Sequence, residues 1–177
     1  GLLLRDARQH LAEEVRQGVD ADRVEPGGQR NLRRRGGARV AALPGAIAAS
    51  IVYPQRRVIA ICGDAGFLMN VQEMETATRL KSNIVAMVWE DNEYGLIAWK
   101  QESHFGHHTD LAFGNPDWND LAKAFAWHGH YVRNSADLES ELETAFQEPG
   151  PSLVVIPIDY RENPLLTEKL GEITCTI

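Results

Sequence analysis

The sequence predicts an α/β domain: a doubly wound, mostly parallel sheet in three layers, with helices on both faces. Three observations point there. Short apolar, β-branched runs recur at Arg57–Cys62, Ile84–Trp89 and Leu153–Ile158. Runs of that kind mark strands buried on both faces. Segments with helical spacing separate them, and Gly- or Asp-rich turns interrupt them, which is the alternation of crossover-connected parallel strands.

Ala41 to Val52 is rich in Ala and Ile and suits a buried helix. RVIAIC, ending at Cys62, is the first strand, broken by Gly63-Asp64-Ala65-Gly66. A helix is expected from near Met69, running through Val71 to Leu80. IVAMVW at Ile84–Trp89 is the second strand, ended by Asp91-Asn92, with a further helix from Tyr94 to Gln101. A His-rich loop spans Ser103–Pro116. Asp117 is placed to cap a helix reaching Trp127, because a short carboxylate accepts the free N–H groups of a first turn. Tyr131-Val132 reads as a short strand. Ser135 reads as the cap of a helix over Ala136–Phe146, with Leu138, Leu142 and Phe146 on one face. Glu148-Pro149-Gly150-Pro151 is a turn before the last strand. The tail from Asp159 is irregular, apart from a short helix at Leu165–Leu170.

Residues 1–40 differ from residues 41–177. The first forty carry nine Arg against six acidic residues, net +3, leaving −10 for the rest of a chain that totals −7. They read as a helix lined by Leu2, Leu3, Leu4, Leu11 and Val15, then an Arg/Gly-rich linker. The acidic body argues against nucleic acid as the main partner. No apolar run approaches the roughly 18 residues of a membrane span. The expected setting is cytoplasmic. Cys62 and Cys175 lack metal or redox spacing, and Cys62 reads as a buried free thiol.

In a parallel sheet, ligands bind at the carboxyl ends of the strands. Two such ends carry Gly63-Asp64-Ala65-Gly66 and Asp91-Asn92. Gly63 and Gly66 let backbone N–H groups approach an anion closely. Asp64 and Asn92 offer hard oxygen ligands of the kind Mg2+ prefers, shared with phosphates. Taken separately, each segment is equally an ordinary turn. Asn92 lies 28 residues after Asp64, however, which is the length of one crossover to the neighbouring strand end.

These residues resemble the thiamine-diphosphate (ThDP) motif: a Gly-Asp-Gly start, a gap in the high twenties, then Asn. The departure is Ala65, mild if φ there is negative. The chain from about residue 41 is similar to acetolactate synthase of the catabolic type. The similarity rests on Gly63–Met69, Glu73–Ala77, Arg79–Asn83, Asp91–Tyr94 and Ile156–Leu166. It implies the pyrophosphate-binding domain type of fold, with ThDP and Mg2+ as cofactors. It implies Asp64 and Asn92 as side-chain metal ligands, the Tyr94 carbonyl as a third, and Gly63, Ala65, Gly66 and Gly95 around the cofactor. No residue of this set is a catalytic acid or base; the cofactor does the chemistry on pyruvate or another 2-oxo acid, with carboligation to acetolactate.

The resemblance also implies a domain, absent from this chain, that supplies a ring-activating Glu across the interface of a homo-oligomer. A Met that props the cofactor is expected five residues before Pro44, where this sequence has Arg39. The isolated chain is therefore expected to be inactive. Two alternatives stay open: another 2-oxo acid decarboxylase or carboligase, and a non-catalytic fragment that only folds or binds a partner. His104, His107 and His108 lack a fourth zinc ligand. Trp99 and Gln101 could wall a substrate pocket or simply pack. Trp118 and Trp127 suit helix packing, and Glu73 and Glu75 suit a solvated or locally paired face.

Overall fold

The computed structural model describes residues 42–161. The expectations for residues 1–40, for Arg39, for the Leu165–Leu170 helix and for Cys175 fall outside them.

The elements run α1 (Ala42–Val52), β1 (Val58–Gly63), α2 (Asp64–Leu68), α3 (Glu73–Leu80), β2 (Ile84–Glu90), α4 (Gly95–Phe105), α5 (Trp118–Ala124), β3 (His128–Tyr131), α6 (Leu138–Gln147) and β4 (Ser152–Pro157). The four strands form one sheet in the order β1-β2-β4-β3, and all three pairings are parallel. β2 and β4 are central, and successive residues along each are buried, so both of their faces are covered. Their apolar runs are accordingly continuous rather than alternating.

One sheet face carries Ala60, Cys62, Ile84, Ala86, Val88, Leu153 and Val155. It packs in a single core with Leu43 and Ile47 of α1, Phe67 of α2, Met74 and Ala77 of α3, and Trp118 and Ala122 of α5. The other face carries α6 over β4 and β3, with Leu142 and Ala145 buried. Helices therefore lie on both faces, as expected. β1 is less covered than its sequence suggests: Ile61 is 43% exposed. It alternates with Ala60 and Cys62 and so lies on the α6 face, where α6 packs over β4 and β3 rather than over β1.

Several boundaries differ from the sequence reading. The helix expected near Met69 begins five residues earlier, at Asp64, and stops at Leu68. The chain then winds in tight turns, with Asn70 N–H donating to Phe67 and Glu73 N–H to Asn70, before α3 starts at Glu73. The helix capped by Asp117 forms, its side chain accepting Asp120 N–H at 2.9 Å. It ends at Ala124 rather than Trp127, because Ala126 takes a left-handed φ of 58°. That reversal turns Trp127 inward, where its indole N–H reaches the Met74 carbonyl and the Thr78 hydroxyl, each at 3.1 Å.

Ser135 does not cap a helix. Ser135–Asp137 form a 3-10 turn, and α6 begins at Leu138 with no side-chain cap. The buried positions of α6 are Leu142 and Ala145; Leu138 and Phe146 are only half-buried. The third strand lies over His128–Tyr131, slightly earlier than expected, and Val132 N–H extends its ladder to Val155 at 2.9 Å. Helix α4 takes up Ser103–Phe105, shortening the His-rich loop.

Candidate functional site

The parallel register aligns Gly63 of β1 with Trp89 of β2. The residues that follow each strand therefore emerge side by side. Asp64 opens α2 and is 1% exposed. Burial of a carboxylate demands hydrogen-bond partners, and Asp64 has four. Oδ1 accepts Ala65 N–H at 2.8 Å. Oδ2 accepts Asp91 N–H at 3.2 Å, Asn92 N–H at 2.8 Å and the Asn115 amide at 2.7 Å. The two motif segments are thus tied by direct bonds.

The glycines are not used for unusual backbone conformations. Gly63 has φ −77° and ψ 163°, which any residue adopts. Ala65 is helical and is not among the positive-φ residues, so the departure from the motif at that position is accommodated. The strained position is Asn92, with φ 59°. Asn tolerates the left-handed region better than most residues, and the conformation folds the chain back after β2. Phe113 N–H then donates to the Asn92 carbonyl at 3.0 Å, and Tyr94 N–H to the Leu111 carbonyl at 3.2 Å. An antiparallel bridge joins Glu93 to Ala112, and the Tyr94 ring lies on Phe113 with centroids 5.1 Å apart. The turn after β2 is stitched in this way to a loop twenty residues downstream.

The Tyr94 carbonyl accepts Ile97 N–H at 2.8 Å and Ala98 N–H at 3.0 Å, so it is shared with the first turn of α4. Gly95 has a steric reason: a Cβ there would stand 2.7 Å from Asp91 Oδ2. Burial, and then the Asp64 charge, push the Asp91 carboxyl up to about 6.

Two residues not anticipated from sequence complete the cluster. Asn115 donates both to Asp64 Oδ2 and to Asn92 Oδ1, the latter at 2.9 Å. Glu90 accepts the Trp118 indole N–H at 2.6 Å and the Tyr131 hydroxyl at 2.7 Å, and lies 3.4 Å from the Asn115 amide. Burial and Glu90 push the Tyr131 hydroxyl up to about 12. Trp118 is buried in the core, as expected, and also anchors Glu90. A carboxylate closing an apolar strand was the one local sign of Glu90. Asn115, between Gly114 and Pro116, had none.

The donor set suits a hard divalent cation. Asp64 Oδ2 and Asn92 Oδ1 converge on one point, since a single amide nitrogen reaches both. One oxygen is anionic and one neutral, the mixture Mg2+ takes alongside phosphate oxygens. The histidines offer no comparable set. His108 Nδ1 is 2.8 Å from the Thr109 carbonyl, and among the described residues no group of three or more His, Cys, Asp or Glu is arranged to hold a metal. Gln101 accepts Thr109 N–H at 3.0 Å and so fixes the loop after α4, while Trp99 is 38% exposed. Glu75 pairs locally with Arg79 at 3.1 Å. Cys62 is a buried free thiol. No helix among the described residues is long and apolar enough to cross a membrane.

Comparison with known proteins shows the family. The family described as thiamine pyrophosphate enzyme, C-terminal TPP binding domain, matches residues 37–156. The chain is similar to the catabolic acetolactate synthase of Raoultella terrigena, 42% identical over 129 residues, covering 73% of this chain and 23% of that enzyme. It is similar to an acetolactate synthase of Bacillus subtilis, 38% identical over 130 residues, with the same two shares. The isozyme 2 large subunit of Escherichia coli is 32% identical over 123 residues, 68% of this chain and 22% of that subunit. The chain thus spans under a quarter of the length of these relatives. The parallel sheet, the joined strand ends and the family match agree: the chain belongs to the thiamine pyrophosphate enzymes, as their C-terminal TPP-binding domain, whose cofactor is thiamine diphosphate with Mg2+.

Proposed function

We propose that this chain is the cofactor-anchoring part of an acetolactate-synthase-like transferase, which decarboxylates pyruvate and joins the fragment to a second carbonyl. The observation that carries the site is the convergence of Asp64 Oδ2 and Asn92 Oδ1, at 2.7 and 2.9 Å, on one amide nitrogen. In this reading Asp64 and Asn92 hold Mg2+ through their side chains, and the Tyr94 carbonyl contributes a third oxygen. Gly63, Ala65, Gly66 and Gly95 border the diphosphate. Bound ThDP supplies the carbon nucleophile of the reaction.

This chain's own residues bind and orient. The four donors on Asp64 fix its carboxylate before any ion arrives, so little side-chain freedom is lost on binding. The Glu93–Ala112 bridge holds the Asn92 turn against the Phe113 loop.

The relatives' names support the acetolactate assignment over a simple decarboxylase. The domain boundary is proposed near residue 41, with residues 1–40 as an appended arm. Exposed Leu96, Ile97 and Phe105, on the helix that follows the site, support a homo-oligomer in which further chain surface covers it. The isolated chain is expected to be inactive. The proposed compartment is the cytoplasm, consistent with a buried free thiol.

Calorimetry tests the site: ThDP is titrated with and without Mg2+ into wild type, Asp64→Asn and Asn92→Gly. The expected outcome is Mg2+-dependent heat in wild type that both variants lose. Equal heats in all three proteins would remove the metal-site assignment.

A further inference from the structure

The Asn115 amide sits where the proposed cation would sit. Its nitrogen lies 2.7 Å from Asp64 Oδ2 and 2.9 Å from Asn92 Oδ1. A divalent ion bound to the same two oxygens would stand about 2.1 Å from each. On the amide's side of the two oxygens, such an ion and the NH2 group would overlap. The amide hydrogens, carrying partial positive charge, neutralise the two oxygens from this position.

The other end of the same side chain points to the same conclusion. Asn115 Oδ1 is buried and has no hydrogen-bond partner among the described residues. A buried acceptor without a donor is costly. The side chain is therefore held by its NH2 end alone. If the NH2 group leaves, no bond at Oδ1 is broken. The backbone on either side is anchored independently: Phe113 N–H bonds Asn92, and Asp117 caps α5. The side chain can move without the loop coming away.

We propose that Asn115 is a placeholder for the cation, an amide that keeps Asp64 and Asn92 at ligand spacing and is displaced when Mg2+ binds. This rests on the assignment of Asp64 and Asn92 as the cation's ligands. Asn115 is a positioning residue in this role. Because its bonds exist only without the ion, they stabilise the cation-free protein and oppose loading.

The opposing effects make the test. Thermal unfolding in EDTA and Mg2+ affinity at saturating ThDP are compared for the full chain, wild type against Asn115→Ala. The variant is expected to melt about 3 °C lower in EDTA, as loss of one charge-assisted bond implies. It is also expected to bind Mg2+ about threefold more tightly, since the competitor is gone. Weaker or unchanged Mg2+ binding in Asn115→Ala overturns the placeholder while leaving the ligand assignment standing. No Mg2+ uptake by wild type overturns the ligand assignment and, with it, the placeholder.

A second readout does not depend on the variant folding. In wild type, the Asn115 side-chain amide protons should exchange slowly with solvent in EDTA and rapidly once Mg2+ and ThDP are present. Protection that persists in the loaded protein overturns the proposal.

Discussion

Asp64 Oδ2 accepts the backbone N–H of Asn92 at 2.8 Å, across 28 residues of sequence. The two motif residues are therefore joined by the protein itself, through a buried carboxylate at the end of one strand and the turn after its neighbour. The proposed cation site is built on that bond.

Asn92 occupies a left-handed conformation at φ 59°. Asn92→Gly and Asn92→Ala both delete the side-chain oxygen, but only Ala meets the steric penalty of a Cβ at positive φ. The Ala variant should be less stable than the Gly variant by about 1 kcal/mol. Urea unfolding of the two proteins checks this, and equal midpoints would count against the turn geometry.

Gly95→Ala places a Cβ 2.7 Å from Asp91 Oδ2. The Asp91 carboxylate must then move, at an expected cost of about 1 kcal/mol. Asp91→Ala removes the obstacle, so in the double variant the Gly95 substitution should cost much less than it does alone. A double-mutant cycle with no coupling would show that the close approach is unimportant.

Asp91 is pushed up to about 6 from the ordinary 3.8, first by burial and then by Asp64. The folded state therefore holds this proton more tightly than the unfolded state does. Stability contributed by the protonated form is present below about pH 4 and is lost as pH rises to about 6. In EDTA, Asp91→Asn should gain in melting temperature relative to wild type across that window. A constant difference between pH 4 and pH 7 would contradict it.

Burial, with the Asp64 charge adding to it, pushes the Cys62 thiol up to about 12. Thiolate is the reactive form, so Cys62 should resist iodoacetamide at pH 8 in the folded protein and react in urea. Mass mapping of the Cys62 peptide gives the readout. Native labelling as fast as unfolded labelling would mean that β1 is not packed as described.

Local chemistry made part of this legible in advance. Continuous β-branched runs at Ile84 and Leu153 announce central strands, because residues buried on both faces leave no polar alternation. The same pattern overstates the burial of β1, where Ile61 is left largely exposed at the edge of the face that α6 covers. Asp117 announced its helix correctly, whereas Ser135 announced one that begins only after a 3-10 turn. A capping residue is a local preference, and the backbone approaching it from the preceding strand decides whether it is used.

The sequence by itself determined the parallel α/β class and put Asp64 and Asn92 on one rim, because a single crossover fixes how far apart adjacent strand ends fall. It could not determine that β4, rather than β3, pairs with β2, or that α2 starts at Asp64 itself. Nor could it bring in Asn115, 51 residues beyond Asp64, or show Glu90 gathering Trp118 and Tyr131. Those relationships depend on segments that meet only once the sheet is assembled. A hydrogen bond between distant residues leaves no periodicity for either neighbourhood to reveal, and the tertiary structure alone turned the Asp64–Asn92 bond into a cluster with Asn115 at its centre.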